Sequence, residues 1–368
     1  MNVLLMYRLP LANFASTISE HVLAFPLYSD HEVTLMNVEL GLPDKLSSRD
    51  FDAIVLHYSL FGTHPFRLCD HFLDFLIAQR KTLIVAFFQD EYQYCQERFD
   101  FINKFKIDLV YSLFTQENSS RIYLENTSCI SVHYTLPGYV SERLVQKSSC
   151  YLTGKKQREI DVGYRSRTLG FFMGKGAQEK SEIGKMFLEK TKSTGVECDI
   201  SAREEDRLYG TKWYDFLSNC KFSLGVEAGV SIVDLSGKIR READEFVQEN
   251  PLCDFNEVHK KVLLPHENNI FYRTISPRIF ESAAFQVCLI LFPGSYSGIL
   301  KPNVHYIELE KDFSNLNEVL DQMKDPELVG SMVLRTYDDL IASDRYHYRN
   351  FIRNFDSEID SSVKKIDL

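Results

Sequence analysis

The sequence predicts an α/β protein built as two Rossmann-like domains in series, with the carboxyl ends of both parallel sheets turned toward a shared cleft. Three observations carry that prediction. Short apolar runs alternate with helix-prone stretches through the first half of the chain, and the same alternation restarts near residue 160. The length of 368 residues also leaves room for two cores at about 100–200 residues per domain.

The first series opens with the apolar run Val3–Met6. It continues through a helix over 17–25, strands over 32–37 and 53–57, a helix over 67–79 and a strand over 83–87. Two further strands, 108–112 and 129–133, complete a six-strand domain, and Pro137-Gly138 turns the chain out of the sheet. Residues 141–158 are polar with little periodicity and are read as the interdomain crossing, which puts the boundary near 150. The second series begins at Ile160 and places strands over 196–200, 222–226, 287–292 and 305–308. It forms a domain over 151–335 that carries a charged helical insertion at about 230–268, longer than the usual connection between sheet elements. The tail, 336–368, belongs to an amphipathic stretch over 327–354 and is expected to be helical and to return to the first domain.

Composition excludes several classes. With 42 Lys plus Arg against 52 Asp plus Glu and a net charge of −10, the chain lacks the basic stripe of a nucleic-acid binder, so an anionic ligand must meet a local cluster. Cysteines at 69, 95, 129, 150, 198, 220, 253 and 288 form no Cys-x-x-Cys pair and are read mostly as free core thiols. The amino terminus has no basic head or apolar core of an export signal, and no apolar run reaches the roughly 18 residues of a membrane span. A cytoplasmic protein with room for peripheral membrane contact is expected. The triplets at Asn118 and Asn126 matter only in a secreted chain.

Two segments point to a phosphate ligand. Asp161–Arg167 leaves a strand through Gly163 and presents Arg165 and Arg167, and Gly174-Lys175-Gly176 opens the helix that carries Lys180. A glycine turn ahead of a helix offers backbone amides and the positive end of the helix dipole, and Arg supplies bidentate donors. A solvated basic loop fits the same residues equally well. The segment is not a P-loop: the glycine spacing is one residue short, and Gly176 stands where Ser or Thr holds magnesium.

The stretch Thr274–Phe292 is the most informative. Ser276-Pro277-Arg278-Ile279-Phe280-Glu281 starts a helix, with Ser as cap and Pro in the first turn, and puts Arg278 and Glu281 on one face ahead of a buried strand. This pattern resembles the signature of GT-B glycosyltransferases of the family-four type and is similar to that of the CgeB-like glycosyl transferase group. The resemblance extends over Ile160–Lys180 and over Phe222–Gly229 with Asp234. It implies that Ser276 and Glu281 lie at the nucleotide, with Glu281 on the ribose. It sets Arg278, Arg165, Arg167 and Lys180 near the donor diphosphate, and makes the loop 294–298, with Tyr296, Ser297 and Gly298, the source of amides for it. The second domain is thereby the nucleotide-sugar domain and the first the acceptor side. One position departs from the pattern: Arg273 stands where a second glutamate is expected eight residues before Glu281.

Acids at strand ends are candidates for the base that deprotonates an acceptor. Asp90 and Glu91 follow the 83–87 strand, where a catalytic role and a helix-start role are equally compatible with the residues. Glu227, in a glycine-flanked loop, fits a role at the donor sugar or a turn carboxylate held by local amides. His57 and His133 end strands and are read first as structural. Tyr164, Tyr272 and Tyr296 fall in the expected ligand loops, where an aromatic face stacks on a base or sugar. Asp50-Phe51-Asp52 lies at the wrong end of its strand for a metal, so no metal is expected.

The function implied is a metal-independent glycosyltransferase without a resident cofactor. It takes a nucleotide-sugar donor and a glycan or lipid-linked saccharide acceptor, in bacterial-type surface polysaccharide or glycoconjugate synthesis. The alternatives are a nucleotide-sugar epimerase or hydrolase of the same fold and a non-catalytic two-lobe ligand-binding protein.

Overall fold

The computed structural model describes residues 1–9, 16–43, 49–79, 81–154 and 157–366. It divides into two compact units: Met1–Pro137 with Ser231–Tyr272 and Tyr348–Leu368, and Gly138–Val230 with Arg273–His347.

The first unit is built on a six-stranded sheet of order β2-β1-β3-β4-β5-β6. Its strands are β1 (Asn2–Tyr7), β2 (Glu32–Asn37), β3 (Ala53–Leu56), β4 (Leu83–Phe87), β5 (Leu109–Ser112) and β6 (Ser131–Tyr134). All pairings are parallel. The central strands Ala-Ile-Val-Leu and Leu-Ile-Val-Ala-Phe are buried at every position, which is why they read as unbroken apolar runs rather than alternating ones. Helices α1 (Ser16–Tyr28), α2 (Asp70–Ala78) and α3 (Cys95–Phe105) accompany them.

His57 is a core residue and not an accessible strand-end contact, because it and His21 are enclosed by aromatic rings. His21 lies 5.4 Å from Phe87, 5.7 Å from Tyr348 and 5.3 Å from Phe351 between ring centroids. His57 Nδ1 accepts from the Ser59 amide at 3.1 Å, so its Nε2–H donates to His21 Nδ1 at 3.0 Å. Burial pushes the His21 ring down to about 3 and the His57 ring well below the ordinary imidazole value.

Two segments distant in sequence belong to this unit. The C-terminal helix, numbered α10 below (Tyr348–Ile366), carries Asp356, which accepts from Ser29 Oγ at 2.9 Å and from the Asp30 amide at 2.8 Å, so the expected return of the C-terminal helix is realised. Residues 231–272, assigned from sequence to the second domain as an insertion, also lie in the first unit. They are fastened there by Asp234 N–H to the Tyr92 carbonyl at 3.0 Å, a contact that order along the chain does not reveal.

The second unit holds a five-stranded parallel sheet of order β13-β12-β9-β7-β8. Its strands are β7 (Ile160–Arg165), β8 (Cys198–Ser201), β9 (Cys220–Gly225), β12 (Cys288–Leu291) and β13 (Tyr306–Glu308). The short strands β10 (Ala228–Val230) and β11 (Tyr272–Thr274) pair separately. Gly163 is required where β7 meets β9: a Cβ there would stand 2.2 Å from Cys220 Sγ.

The polar stretch read as a crossing forms helix α4 (Glu142–Thr153), with Ser141 Oγ accepting from the Leu144 amide at 3.0 Å; residues 155 and 156 lie outside the described residues. Its buried positions are only Leu144 and Ser148, a stripe too narrow to register as apolar periodicity. The other helices used below are α5 (Lys175–Thr191), α6 (Thr211–Asn219), α7 (Lys238–Glu249), α8 (Pro277–Ala284) and α9 (Pro326–Tyr337). The expected tail helix is thus two helices, broken before α10 near Asp344, whose φ is +58°.

All eight cysteines are free thiols. Among the described residues no helix is long and apolar enough to cross a membrane.

Candidate functional site

Helix α8 starts beside the carboxyl end of β7. Pro277 occupies its first turn and Ser276 the cap position, where the Ser276 carbonyl accepts from the Ile279 amide at 3.0 Å while its hydroxyl makes no cap bond. Arg278 donates from Nη1 to the Arg165 carbonyl, and its guanidinium lies 5.2 Å from the ring centre of Trp213. One turn further, Glu281 is 8% exposed and its Oε2 accepts from Trp213 Nε1–H at 2.8 Å. Trp213 also stacks on Phe216 at 5.6 Å. Arg278 and Glu281 therefore meet around one indole of α6. Sequence reasoning missed Trp213; its signal was that it is the one tryptophan in the chain, on the polar helix before β9.

The basic residues divide. Arg165 was expected at a diphosphate, but its guanidinium is committed within the unit. It pairs with Asp199 at 2.8 Å, donates to the Asp199 and Tyr164 carbonyls at 2.8 and 3.1 Å, and lies 4.4 Å from the Phe216 ring centre. Arg167, two residues on, is exposed and has no partner among the described residues. Lys180 Nζ donates to the Gly229 carbonyl at 2.9 Å. At the start of α5, Gly174 has φ +79° and no side chain caps the helix. Arg273 packs against Gly176 there, so closely that a Cβ on Gly176 would stand 2.4 Å from the guanidinium carbon, and it pairs with Glu179 at 3.1 Å. The departure from the family pattern thus adds a cation beside a helix N-terminus, with Glu179 balancing it.

The loop after β12 is held by Glu227. Its Oε1 accepts from the amides of Ser295 and Tyr296 at 3.0 and 2.9 Å and from Ser295 Oγ at 3.0 Å. Two amides expected to serve a diphosphate are therefore used to fix the loop, and Glu227 acts as the turn carboxylate of the two readings. Tyr296, Ser297 and Gly298 follow with φ of +45°, +57° and +70°. The Gly298 amide donates to the Ser295 carbonyl at 2.7 Å, and Ser297 Oγ bonds Thr274 Oγ1 at 2.9 Å and the Ile275 amide at 3.1 Å. Tyr296 is fully buried, its hydroxyl donating to the Phe292 carbonyl at 2.6 Å, so its ring offers no stacking face.

In the first unit the paired acids separate completely. Glu91 is fully buried. Its Oε1 accepts from Ser112 Oγ at 2.7 Å and Tyr123 OH at 2.5 Å, and its Oε2 from the Leu113 amide at 2.7 Å. Burial raises the Glu91 carboxyl above the usual range, against the opposing pull of buried Arg98 and these donors. Glu91 is an interior group and cannot meet an acceptor. Asp90 is exposed, and its φ of +52° turns it away from the strand direction. Arg98 fastens this loop from below, donating to the Glu91 and Gln93 carbonyls at 3.4 and 3.2 Å.

Tyr272, fully shielded, rests edge-on against Phe114 at 4.6 Å, and Tyr164 donates from its buried hydroxyl to the Lys180 carbonyl at 3.0 Å, so neither presents a face to a ligand. His133 stacks on Tyr111 at 5.0 Å and bonds Ser131 Oγ at 2.9 Å, and burial lowers its ring below the ordinary value. Asp52 Oδ2 accepts from the Asn2 amide at 2.6 Å, as a strand-entry residue does. Among the described residues no group of three or more His, Cys, Asp or Glu is placed to hold a metal ion.

No family model and no curated protein matches the chain. Solved structures do. A DNA-modifying β-glucosyltransferase, studied with and without its substrate uridine diphosphoglucose, is 13% identical with a TM-score of 0.54, covering 98% of this chain and 100% of its own. Sucrose-phosphate synthase from Thermosynechococcus elongatus is 10% identical with a TM-score of 0.51, covering 99% of each chain. Anabaena HepE in complex with UDP and glucose is 11% identical with a TM-score of 0.50, covering 98% of this chain and 100% of its own. The chain has the GT-B glycosyltransferase fold, as its sequence led us to expect.

Proposed function

We propose that this chain is a nucleotide-sugar-dependent glycosyltransferase that moves a sugar onto a glycan or lipid-linked saccharide, in surface polysaccharide or glycoconjugate synthesis. The observation that carries the reading is the convergence of Arg278 and Glu281, on the first two turns of α8, at the end of β7. It supports a nucleoside diphosphate in the second unit, with Glu281 on the ribose and Arg278 toward the phosphates. The CgeB-like resemblance of Ser276–Glu281 supports the same placement, and the UDP and glucose bound by HepE support a nucleotide-sugar donor.

In this reading the donor is a substrate and no resident cofactor takes part. Arg278, exposed Arg167 and the uncapped start of α5 stabilise charge that grows on the leaving diphosphate, which is the role a metal fills elsewhere. Asp90 takes the proton of the acceptor hydroxyl in a direct displacement. The test is release of nucleoside diphosphate from a panel of nucleotide sugars with and without saccharide acceptors. Release that depends on acceptor supports transfer. Conversion of the donor without release supports an epimerase, and neither supports a binding protein.

A further inference from the structure

Helix α5 is gripped at its start from strand β11. Arg273, in β11, donates from Nη1 to the Gly176 carbonyl at 3.3 Å, and from Nη1 and Nη2 to Glu179 Oε2 at 3.1 and 3.2 Å. Gly176 and Glu179 lie about one turn apart on α5, so a single guanidinium spans the beginning of the helix. The other carboxylate oxygen, Glu179 Oε1, accepts from Lys311 Nζ at 2.7 Å. We propose that Arg273 is a positioning residue of the donor site: through Gly176 and Glu179 it fixes the first turn of α5 for the diphosphate of a nucleotide-sugar donor. This inference rests on the nucleotide-sugar reading above.

An arginine at this place works against the helix it touches. A cation opposes the positive end of a helix dipole, and α5 carries no acid in its first turn to offset it. Glu179 offsets it one turn later, but that carboxylate is shared between Arg273 and Lys311, which leaves the three groups with a positive charge in excess. The side chains of Arg273 and Glu179 are only 12% and 13% exposed, so water and salt screen the pair weakly and its geometry is held. Glycine at 176 is what lets the guanidinium reach the backbone. A helix start with surplus positive charge suits an anion, and a planar fork tied to the turn keeps that turn in place while charge grows on the leaving diphosphate. Further along α5, Lys180 Nζ donates to the Gly229 carbonyl of β10, so both strands of the β10–β11 pair hold the helix.

Positioning and plain charge attraction give opposite signs at Glu179. If Arg273 acted by charge alone, removing the carboxylate would raise the net positive charge and tighten an anion. If it acts by holding the turn, removing the carboxylate frees the guanidinium and weakens the same anion.

The experiment compares wild type, Arg273→Met, Arg273→Lys, Glu179→Gln and the double variant Arg273→Met with Glu179→Gln. Affinities for UDP, GDP and ADP and for UMP, GMP and AMP are measured by NMR titration, and folding of each variant is checked by its thermal midpoint. Wild type is expected to bind one diphosphate in preference to its monophosphate. Arg273→Met and Glu179→Gln should each weaken the diphosphate about tenfold and narrow that preference, with little change for the monophosphate. The double variant should lose no more than Arg273→Met, because the two side chains act as a unit. Arg273→Lys keeps the charge without the fork and should still bind the diphosphate more weakly than wild type; with Glu179→Gln it decides the question should Arg273→Met fail to fold. An unchanged diphosphate preference in Arg273→Met, full affinity in Arg273→Lys, or tighter diphosphate binding by Glu179→Gln overturns the inference, while wild-type binding leaves the nucleotide reading standing. Absence of binding by wild type to every nucleotide overturns both.

Discussion

The Tyr123 hydroxyl donates to Glu91 Oε1 at 2.5 Å inside the first unit, while the preceding residue, Asp90, is exposed with φ +52°. Adjacent carboxylates thus hold opposite stations. Glu91 supports the loop after β4 and Asp90 is displayed by it. Replacing each should separate stability from activity. Glu91→Ala leaves the Ser112 and Tyr123 hydroxyls and the Leu113 amide buried without their acceptor and should cost about 1–3 kcal/mol in urea denaturation. Asp90→Asn should leave the denaturation midpoint where it is and lower turnover by about 10²–10⁴. Equal stability of the two variants would show that the Glu91 network is not structural.

Buried histidines set a pH dependence. His21 and His57 are held neutral, with folded values below those of the unfolded chain, so the unfolded state binds more protons in the window below about pH 6.5. Their contribution to stability is complete above that value and is lost as pH falls toward about 3. Glu91, with its folded value raised, works the other way: its contribution is complete at low pH and declines as pH rises past the ordinary carboxylate value. Ring signals of His21 and His57 in nitrogen-edited NMR should therefore stay neutral down to pH 5. Protonation near pH 6.5 in the folded protein would contradict the enclosed pair.

Gly294 offers a test of the loop after β12. A Cβ there would stand 2.7 Å from the Glu227 carboxyl carbon. Gly294→Ala should displace that carboxylate, release the Ser295 and Tyr296 amides and lower the thermal midpoint, and Glu227→Gln should weaken the same loop. Donor affinity should fall in both. A Gly294→Ala variant with wild-type midpoint and donor affinity would show that the Glu227 contacts do not order the loop.

Transferase turnover, once an acceptor is found, should survive EDTA if, as proposed above, Arg278, Arg167 and the α5 N-terminus meet the charge on the leaving group. Loss of turnover in EDTA, restored by a divalent cation, would overturn the metal-independent account.

The sheets were legible because parallel strands buried on both faces leave unbroken apolar runs such as Leu83–Phe87 and Cys288–Leu291. The α8 start was legible because Ser-Pro marks a helix boundary. What escaped depends on partners far along the chain. Trp213 and Glu281 are 68 residues apart, and Arg165 finds Asp199 only because β7 pairs with β8. The placement of residues 231–272 in the first unit rests on contacts such as Asp234 to Tyr92, which no local pattern announces. Glu91 reads like Asp90 in sequence; only tertiary burial tells them apart.

The most direct test of the central claim is saturation-transfer NMR of the protein against nucleoside diphosphates and their sugar conjugates, repeated with Glu281→Ala and Arg278→Ala. The account predicts selective saturation of one nucleotide, with the ribose signals lost in the first variant and affinity reduced about tenfold in the second. Absence of saturation for every nucleotide, or binding untouched by both substitutions, would contradict a donor site at the start of α8.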